Sequence, residues 1–286
     1  MLKYEPFMNK LLTCDTREWY VIPRRLDSLL YKLIVGFGIE IINRNGQKML
    51  KNVSQQHVRY GAVTNSDQLI VITQNSKNSE HSTQMILFDS KLNRLNEIDL
   101  STNLTYVRGL WVEGNDIILL YQKSSDFGIL VYDLQKLNVR FSFPLVADVS
   151  SDDVIVFSYN PAFICVYSNR DKKVYVFSRH GHAIALYRKK VIEITIRKIV
   201  IDQYERIYAL DMIHQVHVYT KGIKLYSIQL SGNIRTGENV AYIYSIAITN
   251  DHRLIYTAKL TNTSTCLLWA PNVAYMSTIF PYDSLT

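Results

Sequence analysis

Residues 199–222 read IVIDQYERIYALDMIHQVHVYTKG, and their grammar decides the fold. A turn at Asp202-Gln203-Tyr204-Glu205 leads into RIYALD. A short loop, MIHQ, leads into VHVYT, and a Lys-Gly turn leads into KLYSIQL. Each run is short, apolar and rich in β-branched or aromatic residues, which fits strands and not helices. The same order recurs upstream and downstream. Asn115-Asp116 precedes IILLYQ, ILVYD and VRFSF; Ser66-Asp67 precedes LIVITQ, MILFD and LNEIDL. Asn160-Pro161 precedes FICVYS, VYVFS and AIALY, and Asn250-Asp251 precedes RLIYTAKL and CLLWA. KLIVGF, IEIIN and KML form the first copy.

One position carries the period. The end of the second strand in each copy holds Ile42, Phe88, Tyr132, Phe177, Tyr219 and Trp269, spaced by 46, 44, 45, 42 and 50 residues. A further apolar run precedes every copy: WYVI (19–22), VRYGAV (58–63), RGLWV (108–112), DVIVF (153–157), IRKIVI (196–201) and YSIAIT (244–249). A period in the forties with four short strands per unit is the pattern of propeller blades. The expectation is an all-β chain: a single β-propeller of six blades, each of four antiparallel strands. The units span 15–54, 55–100, 101–145, 146–190, 191–232 and 233–286, and 1–14 is a tail or ring-closing strand. MLKYEPF or YMSTIF is expected to close the ring, and the first dozen residues are the best candidate for a helix. The competing architecture is a large sandwich or two small β-domains, and a sandwich gives no reason for an aromatic residue at that spacing.

Composition bounds the rest. The 286 residues are 48% hydrophobic and 20% charged, with a formal net charge of +7. That is too apolar for disorder. No apolar run approaches the roughly 18 residues of a membrane span, and MLKYEPFMNKLL does not have the layout of a secretory signal. Cys14, Cys165 and Cys266 lie far apart. Their odd number and spacing argue against a disulfide framework or a zinc knuckle, and for a reducing compartment, cytoplasmic or nuclear. Basic charge permits an acidic partner without requiring one.

The 199–222 stretch resembles an NHL-type blade: Ile201-Asp202, Arg206-Ile207-Tyr208, Asp211 and His214-Gln215-Val216-His217-Val218-Tyr219 fall on its pattern. MILFD (85–89), ILVYD (129–133) and CLLWA (266–270) resemble the strand endings of WD-repeat blades, without the Gly-His pair that opens them. Both resemblances imply a propeller, and propellers host scaffolds, RNA binders and lactonases alike.

The candidate sites are few. His214 and His217, three residues apart at a strand, would face opposite ways and chelate nothing together. His180 and His182 share a turn with no ligand-bearing neighbour in sequence. Glu40, Asp116, Asp202 and Asp251, the carboxylates available to a metal-dependent hydrolase, mostly sit where turns need them. There is no GxSxG elbow. Catalytic, cofactor and metal residues are therefore expected to be none. The segment 179–198 concentrates cations beside an aromatic ring, and its Arg179, His182, Tyr187, Arg188, Lys189, Lys190, Arg197 and Lys198 form the candidate surface for RNA or another anionic partner. The leading expectation is a non-enzymatic protein-interaction scaffold or assembly subunit. The alternative is an NHL-like RNA binder using 179–198, and the third a lactonase-type hydrolase.

Overall fold

The computed structural model describes residues 10–15, 17–43, 46–54, 57–75, 82–100, 106–123, 126–144, 154–157, 163–169, 172–178, 194–202, 204, 206–220, 223–230, 240–249, 253–261 and 265–270. Strand β1 (Lys10–Asp15) belongs to the last sheet in the ring. The first sheet holds β2 (Trp19–Pro23), β3 (Leu30–Ile34), β4 (Gly38–Ile42) and β5 (Lys48–Ser54), and the second β6 (Val58–Val63), β7 (Leu69–Asn75), β8 (Ser82–Phe88) and β9 (Arg94–Asp99). The third holds β10 (Tyr106–Glu113), β11 (Asp116–Lys123), β12 (Asp126–Asp133) and β13 (Val139–Pro144). The fourth has three described strands, β14 (Val154–Phe157), β15 (Phe163–Ser168) and β16 (Lys173–Ser178); AIALY (183–187) lies outside the described residues. The fifth holds β17 (Ile196–Ile201), β18 (Ile207–Asp211), β19 (Gln215–Thr220) and β20 (Ile223–Gln229). The last holds β21 (Val240–Ile248), β22 (Leu254–Leu260), β23 (Thr265–Trp269) and β1. Among the described strands every pairing is antiparallel, and all join sequence neighbours except that of β1 with β23. Among the described residues no helix is long and apolar enough to cross a membrane.

The fold is a β-propeller, and its packing explains the continuous apolar runs. Successive side chains of a strand point to opposite faces, and here both faces are covered. Ile164 and Val166 of β15 pack against the third sheet, whereas Cys165 and Tyr167 pack against the fifth. Ile118 and Leu120 likewise face the fourth sheet while Ile117 and Leu119 face the second. A strand buried on both faces loses the apolar–polar alternation and becomes a solid apolar run. The interfaces continue around to the start: Trp19, Val21, Leu30, Ile34 and Ile42 of the first sheet pack with Ala247, Ile255 and Leu267 of the last. The Trp19 indole N–H donates to the Thr265 carbonyl at 3.2 Å across that seam.

The periodic position falls at, or one residue before, the C-terminal end of the third strand in each sheet. Ile42, Phe88, Tyr132 and Tyr219 are buried there. Gly61 of β6 has a packing role: a Cβ would lie 2.5 Å from Leu33 Cδ2 and 2.8 Å from Ile22 Cδ1, so the first and second sheets approach closely at this point.

Three expectations need correction. Residues 10–12 lie in a strand and not a helix, because β1 finds its partner at the far end of the sequence, where no local pattern records it. The strand that closes the ring is KLLTCD (10–15); MLKYEPF (1–7) and YMSTIF (275–280) lie outside the described residues. Cys266 is disulfide-bonded, against the expectation that number and spacing disfavour disulfides, while Cys165 is a buried free thiol. Ring closure sets Cys14 opposite Cys266 in the β1–β23 ladder, so wide separation in sequence gave the wrong guide to distance.

Candidate functional site: the rim where the inner strands begin

The six innermost strands, β2, β6, β10, β14, β17 and β21, all start on one face of the propeller. Four carry a register irregularity near their start, after the first ladder pair in β6, β17 and β21 and after the second in β10. The inserted residues are Arg59 in β6, Arg108 in β10, Arg197 in β17 and Ala241 in β21. A β-bulge leaves one residue out of the ladder, bends the strand and re-aims a side chain. Three of these four bulges aim an arginine.

The bulges at Arg59 and Arg197 are held by the preceding blade, and that at Arg108 by its own. The Tyr20 hydroxyl, its pKa driven up mainly by burial, donates to the Arg59 carbonyl at 2.9 Å. Arg108 donates through Nε and Nη2 to Gln122 Oε1 at 3.1 and 2.9 Å and lies over the Tyr106 ring at 5.3 Å. The approach to Arg197 is anchored by the fourth sheet. The Asn169 side chain accepts from the Ile196 N–H and donates to its carbonyl, both at 2.6 Å, and the Tyr167 hydroxyl donates to the Ile194 carbonyl at 2.6 Å. Arg197 then lies 3.6 Å from the ring centroid of Tyr242, a cation–π contact from sheet five to the last sheet. Burial lowers the Arg197 pKa from its ordinary value. Lys198 is exposed, yet desolvation also draws its pKa down. Both facts fit a rim lysine that water reaches but cannot fully surround. Among the described residues no carboxylate pairs with Arg59, Arg197 or Lys198.

Apolar groups share this face. Phe37, with Arg17 over its ring at 5.1 Å, occupies the β3–β4 turn, and Met212 and Ile213 occupy the β18–β19 turn, where they are 55% and 68% exposed. His214 ends that turn at φ 66°, and its pKa is lowered by burial first and by Arg197 second. The surface combines cations with exposed apolar anchors, a chemistry suited to an acidic segment that also carries large apolar side chains.

The candidates named from sequence fare unevenly. Arg197 and Lys198 are on the rim, joined by Arg59 and Arg108, which the sequence reading passed over. Arg179, His182, Tyr187, Arg188, Lys189 and Lys190 lie outside the described residues. A signal for the missed pair exists: aligned on their first apolar residue, the inner strands read Val58-Arg59, Val107-Arg108, Ile196-Arg197 and Val240-Ala241. Starting the third run at Arg108 instead of Val107 hid the repeat.

The carboxylates considered for metal chemistry are committed elsewhere. Glu40 bridges Lys32 and Lys48 at 3.6 and 3.2 Å. Asp116 pairs with Arg140. Asp202 accepts from Arg206 Nε at 2.6 Å, from the amides of Tyr204 and Arg206, and from the Tyr208 hydroxyl. Asp251 is outside the described residues. Among the described residues no group of three or more histidines, cysteines or carboxylates gathers at metal distance. His217 parts from His214: it is buried in β19, with Nε2 at 2.8 Å from Asp211 Oδ2 and Nδ1 at 2.9 Å from Ser227 Oγ. This Ser-His-Asp chain is a brace. Asp211 uses its other oxygen to cap the turn at the Ile213 and Gln215 amides, and Ser227 is the cross-strand partner of His217 on β20.

The chain matches no protein-family model and no curated protein. Its fold is similar to solved WD40 propellers. The WD40 β-propeller domain of Doa1 aligns with a TM-score of 0.53 at 11% identity, covering 92% of this chain and 97% of that one. Kluyveromyces lactis Hsv2 aligns with a TM-score of 0.53 at 9% identity, covering 97% and 79%. A chain of the mitotic checkpoint complex aligns with a TM-score of 0.52 at 12% identity, covering 87% and 73%. The likeness establishes the propeller fold and bears out the WD-repeat side of the resemblance.

Proposed function

We propose that this WD40-like propeller is a non-enzymatic protein-interaction module that docks an acidic, partly apolar segment of a protein partner on the rim where its inner strands begin. The observation that carries the reading is the aligned row of bulge positions bearing Arg59, Arg108 and Arg197. A bulge costs ladder hydrogen bonds, and repeating that cost to present arginines makes sense when they meet a ligand. Exposed Phe37, Met212, Ile213 and Tyr242 supply apolar contacts beside them. The similar structures support the reading in kind, since the mitotic checkpoint complex is itself an assembly.

The test is affinity capture from the source cells with the wild-type chain and with an Arg59→Glu/Arg197→Glu double variant, in parallel. The expected result is a discrete partner that the variant loses by about a hundredfold, about tenfold per reversed charge. Equal recovery by both proteins would overturn the rim. Capture that disappears on ribonuclease treatment and weakens steeply with salt would instead support RNA as the partner.

A further inference from the structure

A propeller ring is only as secure as its seam, and here the seam is one six-residue strand. Among the described residues β1 is the outermost strand of its sheet and pairs on one side only, with β23. Its ladder is irregular between Leu11 and Thr13. On the inner side of that pairing lie buried Cys266, Leu267 and Leu268, together with the seam-spanning Trp19–Thr265 hydrogen bond. If β1 frays, the edge of β23 is left unpaired, a template for unwanted strand addition.

Two of the three cysteines meet at this seam. The chain has three; Cys165 is a buried free thiol, and Cys266 is disulfide-bonded. The backbone ladder sets Cys14 directly across from Cys266. Opposite residues of an antiparallel pair have Cα atoms about 4.5–5.5 Å apart, inside the range a disulfide bridges. We propose that Cys14 and Cys266 form a redox latch that locks the closing strand onto the ring. Closing it joins two thiols with loss of two protons and two electrons. A small disulfide such as oxidised glutathione accepts the electrons by thiol–disulfide exchange and leaves as two thiols; a dithiol reductant reverses the step. Because the bond ties residue 14 to residue 266, it constrains nearly the whole unfolded chain, the case in which a cross-link has most effect.

Purified full-length chain, equilibrated with oxidised glutathione and then denatured without reductant, is expected to show one reactive thiol, and three after dithiothreitol. Non-reducing peptide mapping is expected to recover the Cys14 and Cys266 peptides joined. Reduction, or the Cys14→Ser variant, is expected to lower Tm by roughly 5–15 °C and to expose the bond after Lys10 to trypsin; Cys165→Ser is the control that leaves the latch intact. Three thiols under oxidising conditions, a bond to Cys165, or a bond between two chains overturns the pairing. A correct bond whose reduction changes neither Tm nor cleavage overturns the latch.

Discussion

The two faces of the propeller treat arginine in opposite ways. Where the inner strands end, three arginines are neutralised by carboxylates. Arg24 is bridged to Asp27 and Asp67, Arg140 to Asp116 and Asp133, and Arg206 to Asp202. Those pairs are local devices. Asp67 also accepts from the backbone amides of Arg25 and Leu26, stitching the first sheet to the second, and Asp202 closes its own turn. Where the inner strands begin, Arg17, Arg108 and Arg197 lie over aromatic rings, and Arg59 and Arg197 have no carboxylate among the described residues. One residue type thus serves folding on one face, while on the other Arg59 and Arg197 present charge with no carboxylate beside it among the described residues. A charge with its partner inside the molecule has no need of one outside it.

The comparison can be tested from both ends. The largest effect is expected on the paired face. Asp202→Ala strips a buried guanidinium of its counter-charge and removes two amide caps, costing about 3–5 kcal/mol of stability in urea unfolding. Gly61→Ala, between the faces, forces a methyl against Leu33 and Ile22 and is expected to cost about 1–3 kcal/mol by the same assay. Arg59→Ala on the open rim is expected to stay within about 0.5 kcal/mol of wild type while weakening partner capture. A large stability loss there would erase the distinction between the faces.

The smallest expected effect is a pH dependence at the rim. The His214 pKa is depressed in the folded chain, so protonation favours the unfolded state. Its contribution is fully present above the ordinary histidine value of about 6.5 and is lost as pH falls through that value toward the folded one. His214→Asn keeps the left-handed turn, since asparagine tolerates positive φ, and is expected to remove that part of the acid sensitivity. A parallel check concerns Cys165, whose thiol is pushed up to about 12 by burial. It is expected to resist maleimide at pH 8 in the folded chain and to react once unfolded.

The fold was legible because each blade repeats its burial. Strands covered on both faces write solid apolar runs, as at Ile117–Leu120, and the third strand repeats a large residue near its C-terminal end from Ile42 to Trp269. The inner strands were read within a few residues of their observed limits; VRYGAV and IRKIVI match β6 and β17 residue for residue. What escaped was non-local or single-residue. β1 pairs with the far terminus, so nothing near it in sequence marks it as a strand. A bulge shifts a ladder by one residue without changing composition, so Arg59 and Arg108 looked like ordinary polar breaks. Of the predicted basic surface, Arg197 and Lys198 stand on the rim. They were singled out for local charge density, although what distinguishes Arg197 in space is its alignment with arginines from other blades.

The most direct test is cross-linking mass spectrometry of the chain with its captured partner. The expected result is a set of cross-links from Lys172, Lys198 and other lysines near the inner-strand starts, absent when Arg59 and Arg197 are reversed to glutamate. Cross-links gathered instead around Lys91 and Lys136, on the face where the arginines are already paired, and unaffected by those reversals, would contradict it.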